Sequence, residues 1–267
     1  MFGIFRLHFQ KLMRKMNKII YVIFLLFIAN LTAQVNTEKY RTSEDFVGLA
    51  GFLELSGTVK TGNTDKTEAS IDGRLDWKTG KTTTFFIFQS DYEWVNGNRS
   101  SDAGLLHIRN VTGLVNNLSS EAFFQINYDK KILVANRELI GAGLRYKLFD
   151  FEDGDIVIGS AYMFEHENYN LPNSSIHKSE VSVSRWSNYI SYYFKMNSLL
   201  TIGGVVYYQP MFEKFSDLRL LNENSITVLI TELLSISINF KVRHDSLPPD
   251  GIEQTDTKTD LGIALRF

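Results

Sequence analysis

The residues of this sequence that could do chemistry are charged side chains that recur at every second position. Between Lys66 and Lys78 a charged and polar set alternates with an apolar set that ends at Trp77. A period of two places the two sets on opposite faces of a β-strand. In a closed sheet the charged set would line one common surface, where it could form ion pairs or select charged solutes.

The candidate polar network combines both charge signs with one histidine. Its members are Asp72, Arg74, Asp76, Asp91, His107, Arg109, Arg145, Arg185, Arg243 and Asp260. If the apolar face points outward, these side chains line a lumen. Two interpretations stay open. Paired charges could fill a narrow lumen and stiffen its wall, which we favour, or they could form the selectivity lining of a small pore.

A hydrolase would instead need a nucleophile, a base and an orienting group within reach of one another. His166 and His177 flank the loop after the seventh segment, together with Glu165 and Glu167, and these side chains could supply a base or bind a metal. Such combinations are common in loops by chance. We therefore predict no catalytic residue, no metal and no cofactor. A lipid- or peptide-cleaving site at the extracellular rim stays as the alternative function.

The composition excludes several classes of protein. With 28 Lys and Arg against 30 Asp and Glu, the chain has a net charge of −2 and lacks the basic excess of a nucleic-acid binder. It has no Cys, which excludes disulfides and thiolate metal sites. Aromatic residues make up 13% of the chain, including 20 Phe and 12 Tyr.

The beginning of the chain has the pattern of an export signal. Basic residues without any acidic residue precede an apolar run from Ile19 to Leu31, and the small residue Ala33 follows. The run is shorter than the ~20 residues that a membrane-spanning helix needs, so a single anchor is the less favoured alternative. The predicted organisation is a cleaved signal peptide over 1–33, a short periplasmic segment over 34–47 and one barrel domain over 48–267.

Twelve later segments alternate between polar and apolar residues. They are approximately 49–61, 66–78, 82–95, 103–114, 120–129, 137–149, 155–166, 177–195, 199–210, 217–230, 233–245 and 255–267. Crossing a bilayer at a tilt takes about nine to eleven residues, whereas strands of soluble proteins usually have about five or six. Brief turns alternate with longer stretches such as 96–102, 167–176 and 246–254, as in outer-membrane barrels. We therefore predict an all-β fold, a closed antiparallel up-and-down transmembrane barrel of about twelve strands.

The aromatic residues support this orientation. If both termini are periplasmic, outward-facing aromatics fall at two heights, as expected for belts at the two membrane interfaces. The predicted belt residues are Trp77, Tyr146 and Tyr192 at the periplasmic side, with Tyr92, Trp94, Tyr128, Phe164 and Tyr208 at the other. A soluble barrel with an aromatic core is the alternative, but it does not predict two heights. In 217–230, Asn222 and Asn224 share a face with Ile226, and we predict a β-bulge there.

Several short stretches together resemble the salt-induced outer membrane protein family, bacterial barrels grouped under a domain of unknown function. They are Leu55-Ser56-Gly57, Thr61-Gly62-Asn63-Thr64, Gly141-Ala142-Gly143-Leu144-Arg145-Tyr146, Tyr208-Gln209-Pro210, Asp217-Leu218-Arg219, Asp245-Ser246-Leu247-Pro248-Pro249-Asp250-Gly251 and Leu265-Arg266-Phe267. The resemblance implies an outer-membrane barrel and supplies no catalytic residue, because the family has no agreed activity. Phe267 looks like the C-terminal aromatic that the barrel-assembly machinery recognises.

Together these patterns predict a non-enzymatic protein of the outer membrane, either structural or a narrow passage for small solutes. The expected partners are outer-membrane lipid and the export and barrel-assembly machinery, and no nucleic acid.

Overall fold

The protein is a closed β-barrel of twelve antiparallel strands that neighbour one another in chain order. The computed structural model describes residues 47–267, so the predicted signal peptide and residues 34–46 lie outside the described part. The strands are β1 Gly48–Lys60, β2 Lys66–Thr79, β3 Thr82–Val95, β4 Asn98–Val115, β5 Leu118–Asp129, β6 Val134–Phe151, β7 Gly154–Tyr169, β8 Glu180–Lys195, β9 Leu200–Pro210, β10 Leu218–Leu229, β11 Leu234–Asp245 and β12 Thr255–Arg266. The predicted all-β barrel of about twelve strands is confirmed.

Closure comes from the pairing of the first strand with the last. Leu55 of β1 lies opposite Ile71 of β2 on one side and opposite Ile263 of β12 on the other. All three residues belong to the apolar set of alternate residues in their strands. Because the side-chain period of a strand is two, this register keeps the apolar set on one continuous surface across the seam.

The outer surface of the barrel is apolar and the inner surface is charged. Ile263 is 57% exposed and Leu265 is 51% exposed, whereas Asp76 and Arg109, on the opposite parity, are each 1% exposed. This is the arrangement of a barrel that faces hydrocarbon, the inverse of a soluble barrel with an apolar centre. Within residues 47–267, no helix is long and apolar enough to cross a membrane.

The two ends of the barrel differ in their connections. At one end, named here the turn end, the strands are joined by 80–81, 116–117, 152–153, 196–199 and 230–233. The first strand, β1, begins at this end and the last strand, β12, finishes there. At the opposite end, named the loop end, the connections are 61–65, 96–97, 130–133, 170–179, 211–217 and 246–254. The loop end also holds a three-residue 3-10 helix, Lys130–Ile132.

The predicted long connection over 96–102 is wrong. β3 and β4 are joined by Asn96 and Gly97 alone, and both have positive φ angles, of 50° and 78°. An Asn-Gly pair in this conformation makes the tight turn whose twist matches two antiparallel strands. The pairing then continues through residues that the sequence had assigned to the loop.

The bulge predicted in 217–230 is not found in the β10–β11 pairing. The register is continuous from Arg219 opposite Asp245 to Leu229 opposite Ser235. Asn222 and Asn224 remain on the outer face, where the Nδ2 of Asn224 donates to the Oδ1 of Asn222 at 2.6 Å. The polar residues are thus accommodated by bonding to each other rather than by turning inward.

Most of the predicted belt aromatics lie on the outer face at the expected ends. Trp77, Tyr146, Tyr128, Phe164 and Tyr208 are each at least 37% exposed, and Tyr92 and Trp94 are partly exposed.

Tyr192 differs from the other predicted belt residues. It has the outward parity but is only 3% exposed, and its hydroxyl donates to the Oδ1 of Asn224 two strands away. The intervening residue is Gly204, where an added Cβ would lie 2.7 Å from the Tyr192 hydroxyl oxygen. Because glycine leaves this space, the tyrosine lies flat along the wall instead of pointing to the interface.

Candidate functional site

The lumen is the candidate functional site, and all ten residues of the predicted polar network have the inward parity of their strands. The structure pairs some of them directly. The guanidinium of Arg74 donates to the Asp76 carboxylate at 2.6 and 2.8 Å and lies 4.3 Å from the ring centre of Phe85. Arg74 and Asp76 thus form a buried ion pair inside the barrel.

A first cluster, named here the lumen plug, joins β4 and β5 to β8 and β9 through the interior of the barrel. It consists of Arg109, Glu121, Phe123, Tyr189 and Tyr207. The Tyr189 hydroxyl of β8 donates to Glu121 of β5 at 2.8 Å, and Arg109 of β4 pairs with the same carboxylate at 3.1 Å. Each residue of the plug is at most 4% exposed, so its side chains are packed against their neighbours inside the barrel.

Contacts within the plug and with neighbouring residues fix its side chains in place. Arg109 lies 4.7 Å from the ring centre of Phe123, and His107 bonds Gln125 at 3.1 Å. Gly159 faces Tyr189, and an added Cβ there would lie 2.1 Å from the tyrosine ring. The small residue on β7 therefore provides the space that the ring on β8 fills.

A second cluster, named here the arginine–glutamate cluster, lies nearer the loop end. Arg137, Arg185 and Arg219 converge on Glu165, which has no exposed surface. Arg219 also donates to Glu167 at 2.8 Å and to Asp245 at 2.8 Å, and Arg185 pairs with Asp217 at 3.0 Å. Since β10 lies three strands from β7 around the barrel, the bonds from Arg219 cross part of the lumen.

Sequence analysis missed several members of these clusters. Glu167 was assigned to a loop, because β7 was expected to stop at 166, whereas the strand continues to Tyr169. The continued alternation of Glu165, Glu167 and Tyr169 was the signal that could have extended it. Tyr189 and Tyr207 were missed because aromatic residues were expected on the outer face.

On the loop-end side of these clusters the lumen contains a cavity of about 560 Å³ that reaches the loop end. This cavity is named here the vestibule. Arg243 of β11 and Asp129 of β5 approach to 3.4 Å across it, although six strand positions separate their strands. Arg243 also pairs with Asp256 at 2.6 Å. The vestibule is thus open to small molecules but is crossed by an ion pair.

The loop that lines the vestibule mouth is bonded to a second loop, 170–179. Asp250 of the loop 246–254 accepts hydrogen bonds from the Ser175 hydroxyl at 2.6 Å and from the backbone N–H groups of Ile176 and His177 at 2.5 and 2.9 Å. These bonds, led by that of Ser175, lower the pKa of Asp250 because they favour its ionised form. Pro248 and Pro249 beside it line the vestibule.

We expect this contact between loops to open in acid. Because the pKa of Asp250 is lowered from the ordinary 3.8, its contribution is complete above that pH and is lost as the pH falls through the lowered pKa. Amide hydrogen exchange at Ile176 and His177, corrected for the intrinsic rate, should show protection at about pH 6 and little well below pH 4. Asp250→Ala should abolish the protection at both values. Equal protection of the wild-type protein at both pH values would contradict the assignment.

The histidines predicted to flank a loop are not brought together. His166 lies within β7 on the outer face, and its Nδ1 is 2.8 Å from the Ser182 hydroxyl. Its Nε2 is 3.2 Å from the Asn168 amide and 3.9 Å from Glu180. His177 instead donates from Nδ1 to the Lys178 carbonyl at 2.8 Å and packs edge-on against Tyr169. In place of the alternative loop site, His166 forms a pair with Ser182 on the barrel exterior.

The chain belongs to a family of unknown function. The sequence model of the family described as "Protein of unknown function, DUF481" matches residues 53–267, almost the whole barrel. The resemblance to a family of unknown-function outer-membrane barrels is therefore confirmed. No curated protein matches the sequence.

Solved outer-membrane barrels share the fold. The COG4313 outer membrane channel from Pseudomonas putida F1 is 11% identical with a TM-score of 0.52, over 88% of this chain and 100% of that chain. The translocator domain of the autotransporter NalP from Neisseria meningitidis is 10% identical with a TM-score of 0.49, over 84% of this chain and 90% of that chain. The NanC porin is 10% identical with a TM-score of 0.48, over 81% and 98%. The likeness to the Pseudomonas putida channel shows the fold of an outer-membrane β-barrel.

Proposed function

We propose that this protein is a non-enzymatic barrel of the bacterial outer membrane, with a closed lumen and a vestibule that accepts small solutes at the outer face. Both termini and the turn end lie in the periplasm, and the loop end faces outward. The short turns at one end and the longer loops at the other support this orientation. The apolar exterior supports the placement in lipid.

The observation that carries this proposal is the packed interior of the barrel, which includes the lumen plug. Arg109, Tyr207, Leu139, Met163 and Leu221 are among the largest side chains of the described residues with less than 2% exposure, and all of them have inward parity. Small barrels are filled by side chains, whereas a water channel is typical of sixteen strands or more. With twelve strands and an interior packed in this way, the barrel follows the filled pattern.

The direct test is recording across a planar lipid bilayer. Refolded wild-type protein should insert without producing discrete conductance steps, since no hydrated ion can pass the plug. A co-reconstituted porin would prove that the bilayer and the recording can detect channels. Resolved, reproducible steps from the wild-type protein would instead favour a narrow passage for small solutes.

A second candidate function, lipid hydrolysis at the outer surface, is favoured by one observation. Ser182, His166 and Asn168 place a hydroxyl, a possible base and an amide within hydrogen-bond distance on the lipid-facing side near the loop end. A hydroxyl beside a histidine nitrogen is the first requirement of an activated serine. The Asn168 amide nitrogen can only donate, so the His166 Nε2 accepts and its Nδ1 holds the proton, which is not the tautomer that could take the proton of Ser182. The candidate is less supported, because His166 is partly exposed and no oxyanion-stabilising group accompanies the pair in the described contacts.

We expect wild-type protein to release no fatty acid from mixed phospholipid vesicles beyond the amount released by Ser182→Ala and His166→Ala. Mass spectrometry of the lipid extract measures the products. Release by the wild-type protein that both substitutions abolish would establish the second candidate and contradict the non-enzymatic proposal.

A further inference from the structure

The innermost part of the vestibule contains an acceptor atom that lacks a donor. Asn239 is 7% exposed and lines the cavity, and its Oδ1 accepts no hydrogen bond from any residue of the described part of the chain. Its Nδ2 is fully used, donating to Glu54 at 2.9 Å and to Asp260 at 3.1 Å. Because buried acceptors are normally paired, this oxygen indicates a donor that comes from outside the chain.

The position of one lysine side chain shows that the carboxylates of the vestibule accept an ammonium group as a hydrogen-bond donor. The Lys258 Nζ lies 2.7 Å from Asp91 and 3.1 Å from the Ser70 hydroxyl. The same ammonium also interacts electrostatically with Asp260 and Asp72. One tethered ammonium group therefore serves several carboxylates, and one of them, Asp260, also accepts a hydrogen bond from the Asn239 Nδ2.

The net charge of the whole vestibule also favours a cationic ligand. Its lining contains seven Lys and Arg side chains and twelve Asp and Glu side chains, a net charge of −5. A concave, low-dielectric wall of one net sign concentrates mobile ions of the opposite sign. A volume of about 560 Å³ is also within the range of small-molecule sites. Charge, size and the unpaired acceptor thus indicate a small cationic ligand.

We propose that the innermost vestibule binds a small alkylammonium ligand, with the Asn239 Oδ1 as a hydrogen-bond acceptor and Asp260 and Asp72 as counter-charges. The inference rests on the proposed function, because the ligand enters through the vestibule of a barrel that is closed below it. Lys258 competes with the ligand, since its own ammonium group neutralises the same carboxylates.

Isothermal titration calorimetry of refolded wild-type protein in a neutral detergent tests the proposal, with spermidine as the ammonium probe. Spermidine should bind, and its affinity should fall as salt is added, because salt screens the carboxylates. Citrate, a matched polyvalent anion, should not bind. Mg²⁺ should bind more weakly than spermidine, because it gives up its hydration shell reluctantly and demands near-octahedral oxygen geometry.

Three variants separate this site from general surface charge. Asp260→Asn should weaken spermidine binding by about tenfold or more. Lys258→Met should strengthen it, because the competing ammonium is gone. Glu180→Gln removes one exposed carboxylate outside the vestibule and should change the affinity by less than about twofold. Heat-modifiable gel mobility establishes that each variant has formed the barrel.

Absence of spermidine binding, equal binding of citrate or Mg²⁺, or equal effects of Asp260→Asn and Glu180→Gln would each overturn the inference. The wild-type conductance measurement is independent of these results. Conductance steps would contradict the closed lumen while leaving spermidine binding intact, so the two failures can be told apart.

Discussion

Replacement of Arg219 by Met should lower the free energy of unfolding by about 3–5 kcal/mol, the range observed when one partner is removed from a buried ion pair. Arg219 is 4% exposed and bonds Glu165, Glu167 and Asp245 at once. Methionine fills a similar volume but leaves these carboxylates with two arginines in place of three. Urea-induced unfolding in lipid vesicles, followed by tryptophan fluorescence, measures the change.

Two further variants show whether the effect comes from the buried charge. Lys214→Met removes an exposed cation from the loop 211–217 and should change stability by less than about 0.5 kcal/mol. Adding Glu167→Gln to Arg219→Met removes one of the stranded carboxylates and should restore part of the loss. An effect of Arg219→Met no larger than that of Lys214→Met would show that the arginine–glutamate cluster does not hold the wall together.

The double substitution Tyr189→Ala and Tyr207→Ala should convert a silent barrel into one with discrete conductance steps. The two rings face each other from β8 and β9, with centres 5.2 Å apart, and both fill the lumen. Truncating them opens the level of the lumen that is otherwise blocked. It should also lower stability, by about 3 kcal/mol or more for each aromatic side chain removed from a packed interior.

The matched control removes two tyrosines from the outer face. Tyr162 and Tyr208 are 54% and 43% exposed, on β7 and β9. Their double replacement by Ala should leave the bilayer silent. If the inner and outer double variants behaved alike, with both silent or both conducting, the plug would not be the element that closes the lumen.

The fold was predictable because its determinants are local. The two-residue period between Lys66 and Lys78, and again in the last segment, assigns strand and face without knowledge of any partner. The density of charged residues at every second position then implies a barrel whose apolar face points outward and whose charged face lines the lumen. The Asn96-Gly97 turn was also readable in principle, but the polar residues after it suggested a loop and concealed five further residues of β4.

The candidate site was predictable only in part, because its contacts join strands that are distant in the sequence. Parity placed Arg109 and Arg243 in the lumen, yet only the closed structure shows that Arg109 meets Tyr189 or that Arg243 reaches Asp129. The position of Tyr192 depends on Gly204 in another strand. Such pairings depend on the stagger of the barrel, which the period of two does not encode.

The most direct test of the central claim is a cysteine scan of β12, since the natural chain has no Cys to interfere. Single Cys residues at positions 257–265 would carry a nitroxide spin label, with the protein reconstituted in lipid. We predict high accessibility to oxygen, which partitions into hydrocarbon, at 257, 259, 261, 263 and 265, and low accessibility at 258, 260, 262 and 264. The opposite phase, with the even positions facing lipid and the odd positions shielded, would contradict a barrel with apolar exterior and charged lumen.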